Sequence, residues 1–364
     1  MDITDLIEDE HRELGRLARQ LAQAQRQDSS ALVEEVANEL VERFTLHVEV
    51  EEEILHPAAQ RSGPELAELV QRGRAAHRDG EELLSGLAGR TAGAPLPADL
   101  AGALIDLMDK HAAETENVLF PCLRRERADQ LVSLGLRYRA VRRNAREDAK
   151  LPQLLAFILN RESCCIDIGC NGGVVLEQML RCAPDGRHIA FEPIPTLAGD
   201  LRRRFPTVDV RQAAVSDQDG RATFVHVTAD AAYSGLRERP SSLRGWPDHI
   251  GRDDLEEIVV RTERLDSVLP DGFVPDLIKI DVEGAEGLVL SGAMDTIATH
   301  RPTIVFEHEG VIPAYGTESS DIWDLLVREA GLRIYDFDGR GPYTRDQFAL
   351  SAHRLDNTNY LARR

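Results

Sequence analysis

Residues 164–173 read Cys164-Cys165-Ile166-Asp167-Ile168-Gly169-Cys170-Asn171-Gly172-Gly173. An apolar run passes into a glycine-rich turn, and the segment 174–181 that follows has helical spacing. Glycine lets the backbone approach a ligand, and a helix start offers unpaired N–H donors, so this strand, turn and helix can cradle a nucleotide-like group. The dinucleotide spacing Gly-x-Gly-x-x-Gly is absent, since Asn171 stands two residues after Gly169.

Working outward, short apolar runs at 164–168, 188–191, 208–215, 277–280 and 303–306 alternate with helical stretches. That alternation predicts a largely parallel sheet with helices on both faces and a ligand crevice at the carboxyl ends of the strands. Ionisable residues collect at those ends. Glu192 closes the second strand, where an acid can accept both hydroxyls of an adenosine ribose. Lys279, Asp281, Glu283 and Glu286 fall at the end of 276–286, and Glu307, His308 and Glu309 at the end of 303–309. A phosphate loop with its lysine is missing, which argues against hydrolysis or phosphoryl transfer.

Before residue 147 the strand signal disappears. Leu14, Leu17 and Leu21, then Leu40, Phe44 and Val48, then Leu66, Leu69 and Val70 keep a helical period. Breaks at 27–30, 61–64 and 89–97 cut the segment into four helices, the outline of a bundle. His11, His47, His77 and His111 fall one to each helix, so a bundle can turn all four inward. Glu51 follows His47 by four residues and shares its helical face. After His111 come Glu114 and Glu116, with Thr115 at the i+4 place. Imidazole and carboxylate together suit iron, manganese or zinc, and this many donors suit a pair of ions; calcium or magnesium would want oxygen alone. His56 and Glu52 are left outside the set, because His56 precedes Pro57 at a helix end, where a cation or cap is its ordinary role.

The whole chain sets the frame. Its 364 residues suit two or three domains. Lys plus Arg number 43 against 63 Asp plus Glu, a net charge of −20 that repels nucleic acid and anionic membrane. No apolar stretch reaches membrane-spanning length and the first residues lack a signal-peptide pattern, so a cytoplasmic protein with no membrane span is expected. The five cysteines form no Cys-x-x-Cys pair and read as reduced core thiols. Between the halves, 124–146 carries eight arginines against Glu126 and Asp129 and reads as a solvated helical linker.

Residues 1–125 resemble the hemerythrin-like HHE cation-binding family. The resemblance rests on Asp9-Glu10-His11, on His47-x3-Glu51 followed by Ile54-Leu55-His56-Pro57, and on His111 followed by Val118-Leu119-Phe120-Pro121. It implies a non-haem di-iron site on His11, His47, Glu51, His77 and His111, with oxygen or nitric oxide as its small ligand. Thr115 stands where many members place a second carboxylate; Glu116 is the first candidate for that role, then Glu114 and Glu81.

Residues 150–364 look like the FkbM family of S-adenosylmethionine-dependent methyltransferases. The ordered motifs are 166–173, Phe191-Glu192-Pro193, Ala214-Val215-Ser216-Asp217, Arg264-Leu265-Asp266-Ser267, 278–286, and Arg301-Pro302 before Glu307. The resemblance implies a Rossmann-like class I fold of seven strands. It places Asp167, Gly169 and Asn171 around the methionine part, Glu192 on the ribose, and Gly172 and Asp217 in the same cofactor set. Asp281 is the first candidate for positioning the reacting pair and His308 for a base, with Lys279, Glu283 and Glu307 beside them.

The chain thus reads as a multidomain α plus α/β protein: a bundle over 1–125, an Arg-rich helical linker over 126–149 and a methyltransferase domain over 150–364. The expected function is methyl transfer, to oxygen of a small-molecule or saccharide-like acceptor, with the di-iron bundle as sensor or regulator. Two alternatives stand beside it: an oxygen-, nitric oxide- or iron-responsive binding protein that holds the cofactor without turnover, and a bundle that is itself catalytic. The acceptor is not written in the sequence, because acceptor pockets sit in variable loops such as 229–254.

Overall fold

A computed structural model of the chain describes residues 2–27, 29–85, 87, 97, 99–237, 250–308, 315–354 and 357–364. Asp28, most of the break at 89–97, Glu309 and 238–249 of the acceptor loop lie outside the described residues. The chain divides into two compact units, Met1–Ala145 and Arg146–Arg364.

The first unit opens with α1 (Ile3–Arg26), whose first turn is capped by the Asp2 carboxylate accepting the N–H groups of Thr4 and Asp5. Next comes α2 (Ser30–Val50), then a five-residue π-helical turn, Glu51–Leu55, and α3 (His56–Gln60). After α4 (Pro64–Ser85) the pattern repeats, with α5 (Leu100–Glu114), a π-turn at Thr115–Leu119 and α6 (Phe120–Glu126). These are the four helical segments expected, two of them carrying the same defect. Its cause is legible: Pro57 and Pro121 each lack an N–H and would clash with the carbonyl four residues back, so the preceding turn widens. The amides of His56 and Phe120 accordingly donate five residues back, to the carbonyls of Glu51 and Thr115.

Among the described residues, two apolar clusters fill this unit. One contains Ile3, Ile7, Ile54, Val70 and Phe120, the other Leu14, Leu17, Leu40, Phe44 and Leu104. Each histidine-bearing helix passes from one cluster to the other through its histidine: Ile7 and Leu14 bracket His11, and Val70 and Leu84 bracket His77. A polar layer is thereby sealed between dry ones. The helix α7 (Leu131–Ile158) follows, and the division between the units falls within it. Of the arginines over 124–146, Arg124, Arg125, Arg139 and Arg146 are exposed, whereas Arg142 lies 2.8 Å from Glu10, Arg143 is buried, and Arg127 donates to Ser62 and to the carbonyl of Arg61.

In the second unit the strands are β1 (Cys165–Ile168), β2 (His188–Phe191), β3 (Asp209–Arg211), β4 (Ala214–Val215), β5 (Gly220–Val227), β6 (Leu255–Glu263), β7 (Leu277–Ile280), β8 (Thr303–Glu307), β9 (Arg333–Asp336) and β10 (Asn359–Arg363). The main sheet has the order β3-β2-β1-β7-β8-β10-β9, parallel except for β10, which runs antiparallel to both neighbours. Ile166, Ile168, Phe191, Ile278, Ile280 and Phe306 are buried, as strands covered on both faces require. The run 208–215, read as one strand, breaks into β3 of the main sheet and β4 of a smaller sheet, β4-β6-β5. No described helix is long and apolar enough to cross a membrane.

Candidate metal centre and cofactor cleft

The polar layer of the bundle converges on Glu51, which is fully buried. Its Oε1 lies 3.6 Å from His11 Nε2 and 3.9 Å from His47 Nε2. Its Oε2 lies 3.2 Å from His77 Nε2, 3.3 Å from His111 Nε2 and 3.5 Å from His56 Nε2. Five imidazoles therefore point the same ring atom at one carboxylate. Four of the outer nitrogens face carboxylates in turn: His11 Nδ1 is 2.8 Å from Glu116, His47 Nδ1 3.5 Å from Glu10, and His77 and His56 Nδ1 3.1 and 3.4 Å from Glu52. An outer carboxylate of this kind selects the tautomer and aims the inner nitrogen.

The electrostatics follow. Burial would raise the Glu51 carboxyl, but the surrounding imidazoles, His111 and His47 foremost, hold it well below its ordinary range. Burial also works against a charged His11, yet Glu116 and Glu51 push it up to about 9. His111, where burial dominates, is pushed down to about 4.

The donor set passes a test of fit for a metal. Both Glu51 oxygens, His11 Nε2 and His77 Nε2 are buried without a hydrogen bond to the protein, and such groups cost about 1–3 kcal/mol each unless something satisfies them. Imidazole nitrogen plus carboxylate oxygen suits iron, manganese or zinc. Of the residues singled out from sequence, His11, His47, Glu51, His77 and His111 come together. Glu116 stands on the outer nitrogen of His11 rather than among the inner atoms, Glu114 lies 3.5 Å from Arg72, and Glu81 is exposed. His56 is the residue that sequence reasoning passed over: far from capping a helix end, it is 1% exposed and stacked on His77. The signal was Pro57, placed after His47 as Pro121 is after His111.

In the second unit, β1 runs into the turn at 169–173 and then α8 (Val174–Cys182). Gly169 has φ +78°, and a Cβ there would sit 1.8 Å from the Asp281 carbonyl oxygen, so loop and β7 end are pressed together by an obligatory glycine. Asn171, also left-handed at φ 42°, donates its N–H to Glu192 Oε2 at 2.9 Å, and Ile194 N–H reaches Oε1 at 2.9 Å. Burial nevertheless pushes the Glu192 carboxyl up to about 7, against those two donors.

A cleft opens here, where the glycine turn meets the ends of β2 and β7. Gly169, Asn171 and Glu192 line it, with Asp281 and Glu283 opposite and Ile194, Val215, Phe224 and Leu236 among its apolar walls. Its described lining holds three carboxylates and no lysine or arginine, a poor place for a phosphate and a good one for a cationic ligand. Lys279 is not in the lining. It sits behind, 3.1 Å from Asp281, 3.6 Å from the buried Asp167 and 3.2 Å from the Gly169 carbonyl. Burial alone would lower Lys279, but those carboxylates raise it above its ordinary range, and its ammonium joins Asp281, Asp167 and the Gly169 carbonyl.

Asp217 does not line the cleft; its neighbour is Ser216 Oγ at 3.2 Å. Gly172 offers its carbonyl to Arg204. His308 is buried, 2.7 Å from Ser319 Oγ and stacked on Phe348, and burial pushes it down to about 4. Glu307 forms a part-exposed trio with Asp281 and Glu283, their oxygens within 4.8 Å.

Fold and sites define a class I methyltransferase architecture joined to a cation-binding bundle. Comparison with known proteins agrees: residues 2–123 match the hemerythrin HHE cation binding domain and residues 167–334 the methyltransferase FkbM domain, so the chain joins one domain of each family. It is 28% identical over 158 residues to 2-O-methyltransferase NoeI of Sinorhizobium fredii, covering 41% of this chain and 65% of that protein. It is also 28% identical over 203 residues to AMB antimetabolite synthetase AmbE of Pseudomonas aeruginosa, covering 47% of this chain and 10% of that protein. Among solved structures, methyltransferase FkbM of Methylobacillus flagellatus KT aligns with 16% identity and a TM-score of 0.34, covering 79% of this chain and 70% of that one.

Proposed function

We propose that the chain transfers a methyl group from S-adenosylmethionine to a hydroxyl of a small-molecule or saccharide-like acceptor, and that the metal state of its bundle regulates the transfer. The carrying observation is the cleft, whose described lining holds three carboxylates and no basic side chain, at the glycine turn after β1, with Lys279 behind Asp281. Such a lining suits a ligand bearing a sulfonium and an ammonium group. NoeI, a 2-O-methyltransferase by name, supports oxygen as the nucleophile.

In this reading Glu192 accepts from the ribose hydroxyls with the lone pairs left by Asn171 and Ile194, while Gly169, Asn171 and Gly172 bring backbone to the methionine part. Asp167 acts through Lys279, which holds the Gly169 carbonyl. The bound cofactor supplies an electrophilic methyl group. The protein's work is then to align acceptor and methyl, to take up the proton that the acceptor hydroxyl loses and to exclude water, for which the carboxylates of Asp281 and Glu283 are the groups at the cleft. A base role for His308 would need access that its packing against Phe348 and Ser319 does not provide.

In the bundle, His11, His47, Glu51, His77 and His111 would hold the metal, and iron there would supply redox and small-gas chemistry. Regulation draws support from α7. Arg142 on that helix pairs with Glu10, the acid facing His47 Nδ1. Five residues on, buried Glu147 accepts from the amides of Thr358 and Asn359 at the start of β10. The test is to incubate the full chain with methyl-labelled cofactor and pools of hydroxylated acceptors, saccharides included, and follow label by mass spectrometry. Label on an acceptor oxygen is expected. Cofactor binding with no labelled product from any pool would replace enzyme by binding protein.

A further inference from the structure

We propose that His56 is a fifth imidazole ligand of the bundle's metal centre, admitted by Gly73, and that it completes a second ion position on the Oε2 side of Glu51. The inference rests on reading the bundle as a metal site, and it adds a residue which that reading did not contain.

The π-turn sets where His56 points. In an unbroken α-helix, residue 56 would lie about 140° around the axis from Glu51, facing away from the centre. The π-turn Glu51–Leu55 closes on an amide-to-carbonyl bond five residues back, His56 to Glu51, and so stacks residue 56 above residue 51. The neighbours of His56 match those of His77. His56 Nε2 is 3.5 Å from Glu51 Oε2 and its Nδ1 3.4 Å from Glu52, while His77 has the same two contacts at 3.2 and 3.1 Å. The rings stack, with centroids 5.3 Å apart and planes at 22°. His56 thus has both ends of a ligand's arrangement, an inner nitrogen on the central carboxylate and an outer one on an orienting carboxylate.

Gly73 lies one helical turn before His77, and a Cβ there would sit 3.0 Å from His56 Nε2 and 3.8 Å from His111 Cε1. Even an alanine there would require the His56 ring to give by a few tenths of an ångström. The other copy of the pattern serves as an internal control: its π-turn delivers Phe120, a buried ring with no donor, and Thr115 stands in the place of Glu51. The two copies therefore contribute unequally. Around Glu51, Oε1 faces His11 and His47, and Oε2 faces His56, His77 and His111.

The full chain made in iron-containing medium should hold about two irons per chain by elemental analysis. His56→Phe, which copies the ring of the other repeat without its nitrogen, should fold with wild-type circular dichroism and hold about half as much iron. The spectroscopic signature of a coupled pair should give way to that of an isolated ion. His56→Ala should behave likewise and regain the second ion when free imidazole is supplied. Gly73→Ala, which removes no donor, should loosen the same ion. Wild-type chain with two ions and a folded His56→Phe that keeps both would overturn the role of His56 and leave the metal centre standing. Wild-type chain that takes up no metal would overturn the centre and this proposal together.

Discussion

Glu51 in the bundle and Glu192 in the α/β unit are both nearly sealed from solvent, yet their surroundings treat them oppositely. Glu51 meets only side chains, five imidazoles gathered from four helical segments, and its oxygens make no hydrogen bond. Its carboxyl is held far below the ordinary range. Glu192 is held by two backbone N–H groups close by in the chain, and burial carries it up to about 7. The difference separates two ways of building a site. A centre made of side chains from distant helices depends on packing, whereas an acid gripped by a loop depends on local backbone conformation and survives side-chain variation around it.

The largest expected effect breaks the first of these sites. Glu51→Ala removes the one carboxylate the imidazoles share, and the chain should lose the ions proposed for it, as elemental analysis would reveal. A ligand present about a thousandfold above its dissociation constant contributes ~4 kcal/mol of stability, so the variant's melting transition should no longer respond to iron. Retention of two ions would dissolve the contrast.

Gly169→Ala attacks the second site through its backbone. A Cβ 1.8 Å from the Asp281 carbonyl at φ +78° cannot be accommodated without moving the loop, and a loss of about 2–4 kcal/mol is expected in urea denaturation. Gly172, with open space around its Cβ position, is the control; its alanine variant should stay within about 0.5 kcal/mol of wild type.

Next in size is Glu192→Ala, which should weaken S-adenosylmethionine by about 1–3 kcal/mol in calorimetry. A pH series sharpens this. Ribose hydroxyls favour the ionised acid, so binding should tighten as pH rises toward about 7 and then level off, with Glu192→Gln flat across the range. The stability linkage has the opposite sense. A carboxyl raised above its unfolded value keeps its proton longer in the folded state, so stability from this group falls as pH climbs from about 4.5 through about 7. Glu286, also raised to about 7, stays in the Gln variant and so cannot account for a lost pH response.

The smallest effect concerns communication. Metal-loaded and metal-free chains should differ in cofactor affinity by a factor within the usual allosteric range of about 5 to 150. Arg142→Ala, cutting the link to Glu10, should shrink that factor while leaving the metal count unchanged. Equal affinities in the two states would make the bundle an independent passenger.

Much of this was legible in one dimension. One histidine per helix, the His47 to Glu51 spacing and the strand-to-glycine turn at 164–173 are local patterns, because helical periodicity and the conformational freedom of glycine act over a few residues. What the tertiary structure decided turns on helical phase and on which chain segments meet. His56 enters the centre only because Pro57 widens the turn before it and Gly73 on another helix leaves room. Glu116 faces the outer nitrogen of His11, and His308 disappears behind Phe348, for the same kind of reason: each depends on a neighbour from a distant segment. So does the antiparallel β10, which slips between β8 and β9 although β9 precedes it in the chain. Sequence by itself determined the chemistry carried by each helix and strand end; packing decided which of those groups face one another, since a widened turn or an absent Cβ moves a side chain farther than any local propensity records.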